Sequence, residues 1–377
     1  MTSEEMDPAL TPIKNIKKIA ILRANALGDF IVTLPALFAL KHTYPAAELV
    51  LLAKPWHNEF LTKGRSPIDR VIVVPIKKGI RTEPGIDENE QEIETFIKQM
   101  QDEQFDAVIN FQGNGISANP FIKQFKAKLT VGLICKNSEK LDRSLDYYYY
   151  QNEAIRYLEV VKLIGATTNI IEPKLNVLAK DKEEIKGFLS ILKDKRVVVL
   201  HPVAMDTRRM WPLENYARLA DELKERNFEV VFTGATEDTR IIDDIIYQMN
   251  YQAINASGKF GLGGLTALLA EADLMISADT GPLHLARAVE TKTIGFYWAP
   301  NLINWGPLTR SLHRPLISWK MECPLCGIVP NDPYPFEPKS GECDHPVSFV
   351  RDISMDQVLE AVDDFSILSD EKLLQTQ

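Results

Sequence analysis

Along most of the chain, short apolar runs alternate with longer amphipathic stretches, the pattern of strands buried on both faces with helices between them. In the first half, residues 19–23, 48–53, 70–75, 106–111 and 129–133 predict five strands. The amphipathic stretch 30–42 predicts a helix. Pro35 has no N–H to donate in mid-helix, so that helix either kinks or starts near Thr33. Further helical patterns cover 91–101 and 152–164, and 169–178 reads as an extended link containing Pro173. A second series then begins, with strands at 196–200, 229–232, 273–277 and 293–297. Helical patterns over 182–192, 213–226, 236–250 and 265–270 separate them. Strand–helix alternation in two runs predicts an α/β protein of two Rossmann-like domains facing each other across a cleft. The expected boundaries are 1–178 and 179–349, followed by a helical segment over 350–377 whose return to the first domain is left open.

Charge and composition narrow the possibilities. Forty-three Lys and Arg against 52 Asp and Glu leave a net charge of −9, which disfavours general nucleic-acid binding. No apolar run approaches the roughly 18 residues of a spanning helix. Residues 1–12 carry three acidic side chains and no apolar core, unlike a signal peptide. Four cysteines in 377 residues do not make a disulfide scaffold. The expectation is a cytoplasmic protein, with peripheral contact at the inner face of the inner membrane left open. Lys14, Lys17, Lys18, Lys123, Lys126 and Lys128 are candidates for touching an anionic acceptor or membrane surface, against the plainer reading of a solvated face. The run Tyr147–Tyr150 is expected to be an extended segment burying alternate rings, with a sugar-stacking platform as the rival.

Candidate chemistry gathers where predicted strands give way to helices, the place an open α/β sheet binds ligands. Four such junctions stand out: 25–29, 201–211, 233–237 and 279–284. At the last, Asp279, Thr280, Gly281 and His284 follow a strand and open a helix, a position where backbone N–H groups meet phosphate. An N-cap, a turn glycine and a satisfied histidine are the bland alternative. None of these junctions carries Gly-x-Gly-x-x-Gly or Gly-x-x-x-x-Gly-Lys-Ser/Thr, which argues against a dinucleotide dehydrogenase or a P-loop NTPase.

Several motifs, in order along the chain, point to one family. They are Ile21-Leu22-Arg23, Ala26-Leu27-Gly28-Asp29 and Thr33-Leu34-Pro35-Ala36-Leu37; then His201-Pro202, Arg209-Met210-Trp211-Pro212, and Phe232-Thr233-Gly234 with Glu237. Asp279-Thr280-Gly281-Pro282-Leu283-His284-Leu285-Ala286 and Trp305-Gly306-Pro307 complete the set. Together they resemble the ADP-heptose:lipopolysaccharide heptosyltransferases of glycosyltransferase family 9. The resemblance implies the GT-B fold and inverting transfer of a sugar from a nucleotide-sugar donor, ADP-heptose in this family, to a saccharide or lipid-linked acceptor.

It implies residue roles as well. Asp29 takes the position of the catalytic base, with N-capping of a helix as its plainer alternative. Arg208, Arg209, Thr233, Gly234, Glu237, Asp279, Thr280, Gly281 and His284 form the donor side. Asn25, Gly28, Gln112 and Asn114 belong to the acceptor-side loops. The chain departs from the family at Arg209, where lysine is usual, and at Val203, where glycine is usual. Arginine keeps the charge and grips phosphate with parallel donors, whereas a side chain at 203 holds the backbone further from phosphates. No cofactor is expected to be required. Cys323-Pro-Leu-Cys326 with Cys343 and His345 has the makings of a structural metal site, set against a disulfide or packed thiols; the expectation is that no metal is bound there. The alternatives in function are an epimerase or hydrolase of the same fold and a catalytically inactive saccharide-binding protein.

Overall fold

The computed structural model describes residues 11–330 and 342–374, with side chains described as far as Phe365. The chain divides into two compact units, Met1–Asn176 and Val177–Gln377.

The first unit is built on six parallel strands: β1 (Lys18–Leu22), β2 (Glu48–Ala53), β3 (Arg70–Val73), β4 (Ala107–Asn110), β5 (Thr130–Ile134) and β6 (Arg143–Asp146). Their order across the sheet is β3-β2-β1-β4-β5-β6. The central strands are fully buried from Ile19 to Leu22 and from Ala107 to Ile109, which explains why they read as continuous apolar runs rather than alternating ones. Phe96, Phe121 and Phe125 cover one face of this sheet. After β1 the helical stretch is broken, as Pro35 demands: Leu27–Ile31 forms one short helix and Leu34–Thr43 the next. Pro35 falls in the first turn of the second helix, where a missing N–H costs nothing, and Thr33 donates its hydroxyl to Phe30 O at 2.6 Å in the break.

The second unit repeats the plan with β7 (Arg196–His201), β8 (Phe228–Phe232), β9 (Ile254–Asn255), β10 (Leu274–Ala278), β11 (Thr293–Trp298) and β12 (His313–Ser318). All its pairings are parallel and the order is β12-β11-β10-β7-β8-β9. Counted within its own unit, each sheet therefore has the doubly wound order 3-2-1-4-5-6. The C-terminal helix Met355–Leu374 sends Val358, Ala361, Val362 and Phe365 into the core of the second unit. Trp211, fully buried there, donates its indole N–H to Ile353 O at 2.8 Å and ties that segment to the sheet.

Three strands had no counterpart in the sequence reading: β6, β9 and β12. β6 is Arg-Ser-Leu-Asp and only half-buried, and β9 has two residues, so neither carries an apolar run. β12 contains Pro315, which a sheet tolerates at its edge, and β12 lies at the edge.

Candidate functional site

In a doubly wound sheet the strands diverge at one point, and the crevice at their carboxyl ends is the natural ligand site. The first unit diverges between β1 and β4, and the second between β7 and β10. The segments 23–29 and 111–115 follow the strands at the first of these points, and 202–211 and 279–284 follow those at the second.

In the first unit the chain leaves β1 at Arg23, a guanidinium only 4% exposed. Arg23 donates to Phe111 O at the end of β4 (2.6 Å), to Asp29 O (3.1 Å) and to Asp29 Oδ1 (2.9 Å). It also lies 3.6 Å from the Glu153 carboxylate and over the ring of Tyr157. Burial alone would lower its pKa, yet the negative charge of the surrounding groups raises it. Tyr157 donates to Glu153; its burial holds the phenol well above its ordinary pKa and therefore protonated. Asp29 stands at the rim of this network, 27% exposed, on the helix Leu27–Ile31. Its second oxygen accepts from the Ala26 N–H at 3.2 Å; Ala26 is the N-cap and Asp29 the third helical residue, so a capping-box contact and an accessible carboxylate coexist.

Gln112 and Asn25 meet beside this group. Gln112 Nε2 donates to Asn25 Oδ1 at 2.5 Å and to Ile80 O at 3.1 Å, while its Oε1 accepts from Ala24 N–H. Gln112 is thus a loop clamp whose polar atoms are already engaged. Gly28 lies half-buried one residue before Asp29. Asn114 closes a local turn by accepting from Ile116 N–H.

In the second unit Asp279 follows β10 and is 3% exposed. Its oxygens accept from His284 Nε2 (2.9 Å) and Asn301 Nδ2 (2.7 Å), and Arg209 lies 3.5 Å away. Burial would raise this carboxyl, but the hydrogen bond from His284, with Arg209 and Asn301, holds it below its ordinary value. The other ring nitrogen of His284 faces Arg287 Nη1 at 3.1 Å. Arginine has no lone pair to offer, so His284 Nδ1 is the acceptor and Nε2 carries the proton. Both nitrogens are spent within the protein. His284 is therefore placed to orient Asp279 rather than to donate to a phosphate. Thr280 pairs its hydroxyl with Ser277 (3.1 Å) and leaves the helix Gly281–Ala288 without a side-chain cap. The first-turn N–H groups of Gly281 and Leu283 gain nothing from it, the arrangement that suits an incoming anion.

Ser277 bridges to His201 O at 3.0 Å, and His201 Nδ1 lies 3.2 Å from the Thr233 hydroxyl, so the ends of β7, β8 and β10 are laced together. Burial brings the His201 ring down to about 4. Arg209 also reaches Asp279 O at 3.2 Å, and its buried Nε has no hydrogen-bond partner. Arg208 turns elsewhere. It grips Asp206 through two nitrogens at 2.9 and 2.8 Å, and its own carbonyl accepts from Phe349 N–H. Gly234 allows close packing, since a Cβ there would stand 2.8 Å from Ile242 Cδ1 and 2.9 Å from Asp238 Cβ. Glu237 is exposed on the following turn, while its neighbour Asp238 caps the Ala235 N–H at 2.7 Å.

Reading the sequence missed Asn301, Glu153 and Tyr157, which lie far in sequence from the residues they serve, and Arg287, which is one turn beyond His284 on the same helix. Arg23 did give a signal, a charge at the end of an apolar strand. Exposure alternates along the tyrosine run, but no ring is fully buried: Tyr148 is 65% exposed and Tyr150 36%, while Tyr149 is half-buried and Tyr147 half-buried under the Arg156 guanidinium. Of the six lysines, Lys18, Lys123 and Lys128 are ion-paired with Glu103, Glu139 and Asp106. Cys323, Cys326, Cys343 and His345 come together in one cluster. No described helix is long and apolar enough to cross a membrane.

Two doubly wound units with polar switch points are the architecture of the GT-B transferases, and solved structures agree. A family 9 glycosyl transferase from Veillonella parvula superposes with a TM-score of 0.72 at 20% identity, covering 93% of this chain and 97% of that one. The Escherichia coli ADP-heptose LPS heptosyltransferase II superposes with a TM-score of 0.70 at 17% identity, covering 94% and 100%. Among curated sequences, the lipopolysaccharide core heptosyltransferase OpsX of Haemophilus influenzae is 25% identical over 305 residues, 77% of this chain and 82% of that protein. The sequence model of glycosyltransferase family 9 (heptosyltransferase) matches residues 93–323. The chain belongs to this family and is a glycosyltransferase.

Proposed function

We propose that the chain transfers heptose, with inversion, from ADP-heptose to a saccharide of the lipopolysaccharide type. The observation that carries the reading is Asp29: a carboxylate at the strand switch point, oriented by a buried arginine and still open to an incoming hydroxyl. The names of the E. coli and H. influenzae relatives supply the donor and the acceptor class. In this reading Asp29 takes the acceptor hydroxyl proton as that oxygen attacks the anomeric carbon. The bond from that carbon to the diphosphate breaks on the opposite face. The charge released onto the diphosphate is met by Arg209 and by the N–H groups of Gly281 and Leu283. Asp279, saturated by His284 and Asn301, holds Arg209 in place. Arg208 stiffens the same loop through Asp206 and adds charge to it. Thr233, Gly234 and the exposed Glu237 serve the nucleoside end of the donor. Asn25, Gly28, Gln112 and Asn114 shape the acceptor loops. Acceptor approach would bring the protein to the inner face of the inner membrane.

Two measurements test this. Asp29→Asn is expected to lower kcat by about 10²- to 10⁴-fold with donor binding retained; an unchanged kcat would remove Asp29 as the base. In a thermal-shift screen, ADP-sugars should raise Tm. Stabilisation by UDP- or GDP-sugars alone would overturn the donor assignment and leave the fold untouched.

A further inference from the structure

We propose that Cys323, Cys326, Cys343 and His345 form a structural site for one thiophilic divalent transition-metal ion, zinc or ferrous iron, held tetrahedrally by three thiolates and one imidazole. The four donor atoms lie within 4.8 Å of one another. The Cys326 and Cys343 sulfurs are 3.6 Å apart, and His345 Nδ1 is 3.4 Å from the Cys343 sulfur and 3.7 Å from that of Cys323. Bonds of about 2.3 Å to sulfur and 2.0–2.1 Å to nitrogen, at tetrahedral angles, require edges of about 3.8 Å between sulfurs and about 3.6 Å from sulfur to nitrogen. Those three separations lie within about 0.2 Å of these edges. A disulfide needs about 2.05 Å, and all three cysteines are free.

The surroundings are those of a metal knuckle. Between Cys323 and Cys326 the chain turns tightly: Cys323 N–H donates to Ile328 O and Gly327 N–H to Cys323 O, both at 2.8 Å. Gly327 takes φ +72°, a conformation that L side chains rarely adopt. The turn aims the N–H groups of Leu325 and Cys326 at the Cys323 sulfur, the outer hydrogen bonds that a ligating thiolate receives. Cys323 and Cys343 are buried among apolar side chains while Cys326 and His345 are exposed, so an ion can enter from solvent and still be shielded on one side.

The ion would clasp the 323–328 turn to residues 343–349. That segment reaches the donor-side loop directly: Phe349 N–H donates to Arg208 O (2.8 Å) and Ser348 Oγ to Met210 O (2.6 Å). Phe349 also stacks on Trp298 with ring centroids 4.3 Å apart. The site therefore supports the fold around Arg208 and Met210 and takes no part in bond-making.

The test is the metal content of the full-length protein, purified under reducing conditions and dialysed against metal-free buffer. Elemental analysis is expected to find about one zinc or iron per chain. After removal of that ion, Co²⁺ should give the near-ultraviolet charge-transfer bands of thiolate ligation and the visible bands of a tetrahedral ion. Cys326→Ser and Cys343→Ser should each lower retained metal at least 10-fold and lower Tm, while Cys135→Ser should leave both unchanged. Less than roughly 0.1 metal per chain after reconstitution of the unmodified protein, with no charge-transfer bands, would overturn the proposal. So would a Cys326–Cys343 disulfide found by mass spectrometry in the reduced preparation.

Discussion

Arg23 is the residue whose loss should be felt most widely in the first unit. It joins β1 to β4 through Phe111 O, holds Asp29 by carboxylate and carbonyl, and neutralises Glu153, all from a position only 4% exposed. Arg23→Met keeps much of the apolar stem and removes every one of these contacts. Glu153, 9% exposed, retains Arg156 at 3.1 Å and the Tyr157 hydroxyl, but loses its second cation. Breaking a buried pair from one side costs about 3–5 kcal/mol. Asp29 is partly solvated, which places the expected loss near the lower end, about 3 kcal/mol. For a unit of this size that lowers Tm by roughly 6–12 °C. Arg23→Lys should lose about 2 kcal/mol, because a single ammonium cannot reach the two strands and the carboxylate together. Adding Glu153→Gln to Arg23→Met should recover about 1 kcal/mol by removing the charge left short of a partner. Scanning calorimetry of the full chain, following the first-unit transition, measures all three. A loss below about 1 kcal/mol for Arg23→Met, or no recovery in the double variant, would refute the view of Arg23 as the keystone of this site.

Acid should destabilise the protein well before its carboxylates titrate. Burial lowers His57 to about 3 and His201 to about 4. Below an unfolded value near 6.5 the unfolded chain binds the protons these two rings refuse, so their contribution is complete above about pH 6.5 and is lost as pH falls. At pH 5 each contributes about 2 kcal/mol of lost stability, and denaturation at pH 7 and pH 5 should differ by about 4 kcal/mol, with His57→Gln removing about half. Equal stability at the two pH values would show that the rings are protonated in the folded state. Asn301→Leu removes the 2.7 Å donor to the buried Asp279 and should cost about 2 kcal/mol, since hydrogen bonds to charged groups contribute about 1.5–3 kcal/mol; a neutral result in urea denaturation would mean that Asp279 is otherwise satisfied.

Much of the fold was legible because its central strands are buried on both faces and carry uninterrupted apolar runs. The edges were not, since β6, β9 and β12 contain charge, proline or too few residues to signal a strand. At the sites, the segments 25–29 and 279–284 stood out as strand-to-helix junctions, and the family resemblance singled out Asp29 within the first of them. Their partners did not. Asn301 reaches Asp279 from 22 residues further on, and Glu153 lies beyond five intervening strands from Arg23. His284 illustrates the limit best. As a letter it was a candidate phosphate donor, and only the placement of Arg287 shows that neither ring nitrogen has a bond to spare. The cysteine cluster runs the other way: spacing suggested four ligands, and their convergence needed the fold.

The repeated winding of the two sheets makes the chain a natural subject for recombination between relatives. Among the described residues no strand pairs across residue 176, so a crossover there exchanges complete halves rather than fragments of a sheet. The junction is nevertheless exact in one respect. Asn176 accepts from Arg65 and donates to the carbonyls of Arg65 and Gly64, so it belongs to the first half. A chimera that takes its new partner from Val177 onward keeps those bonds, whereas one joined a residue earlier gives up a lock between the linker and the loop it rests on.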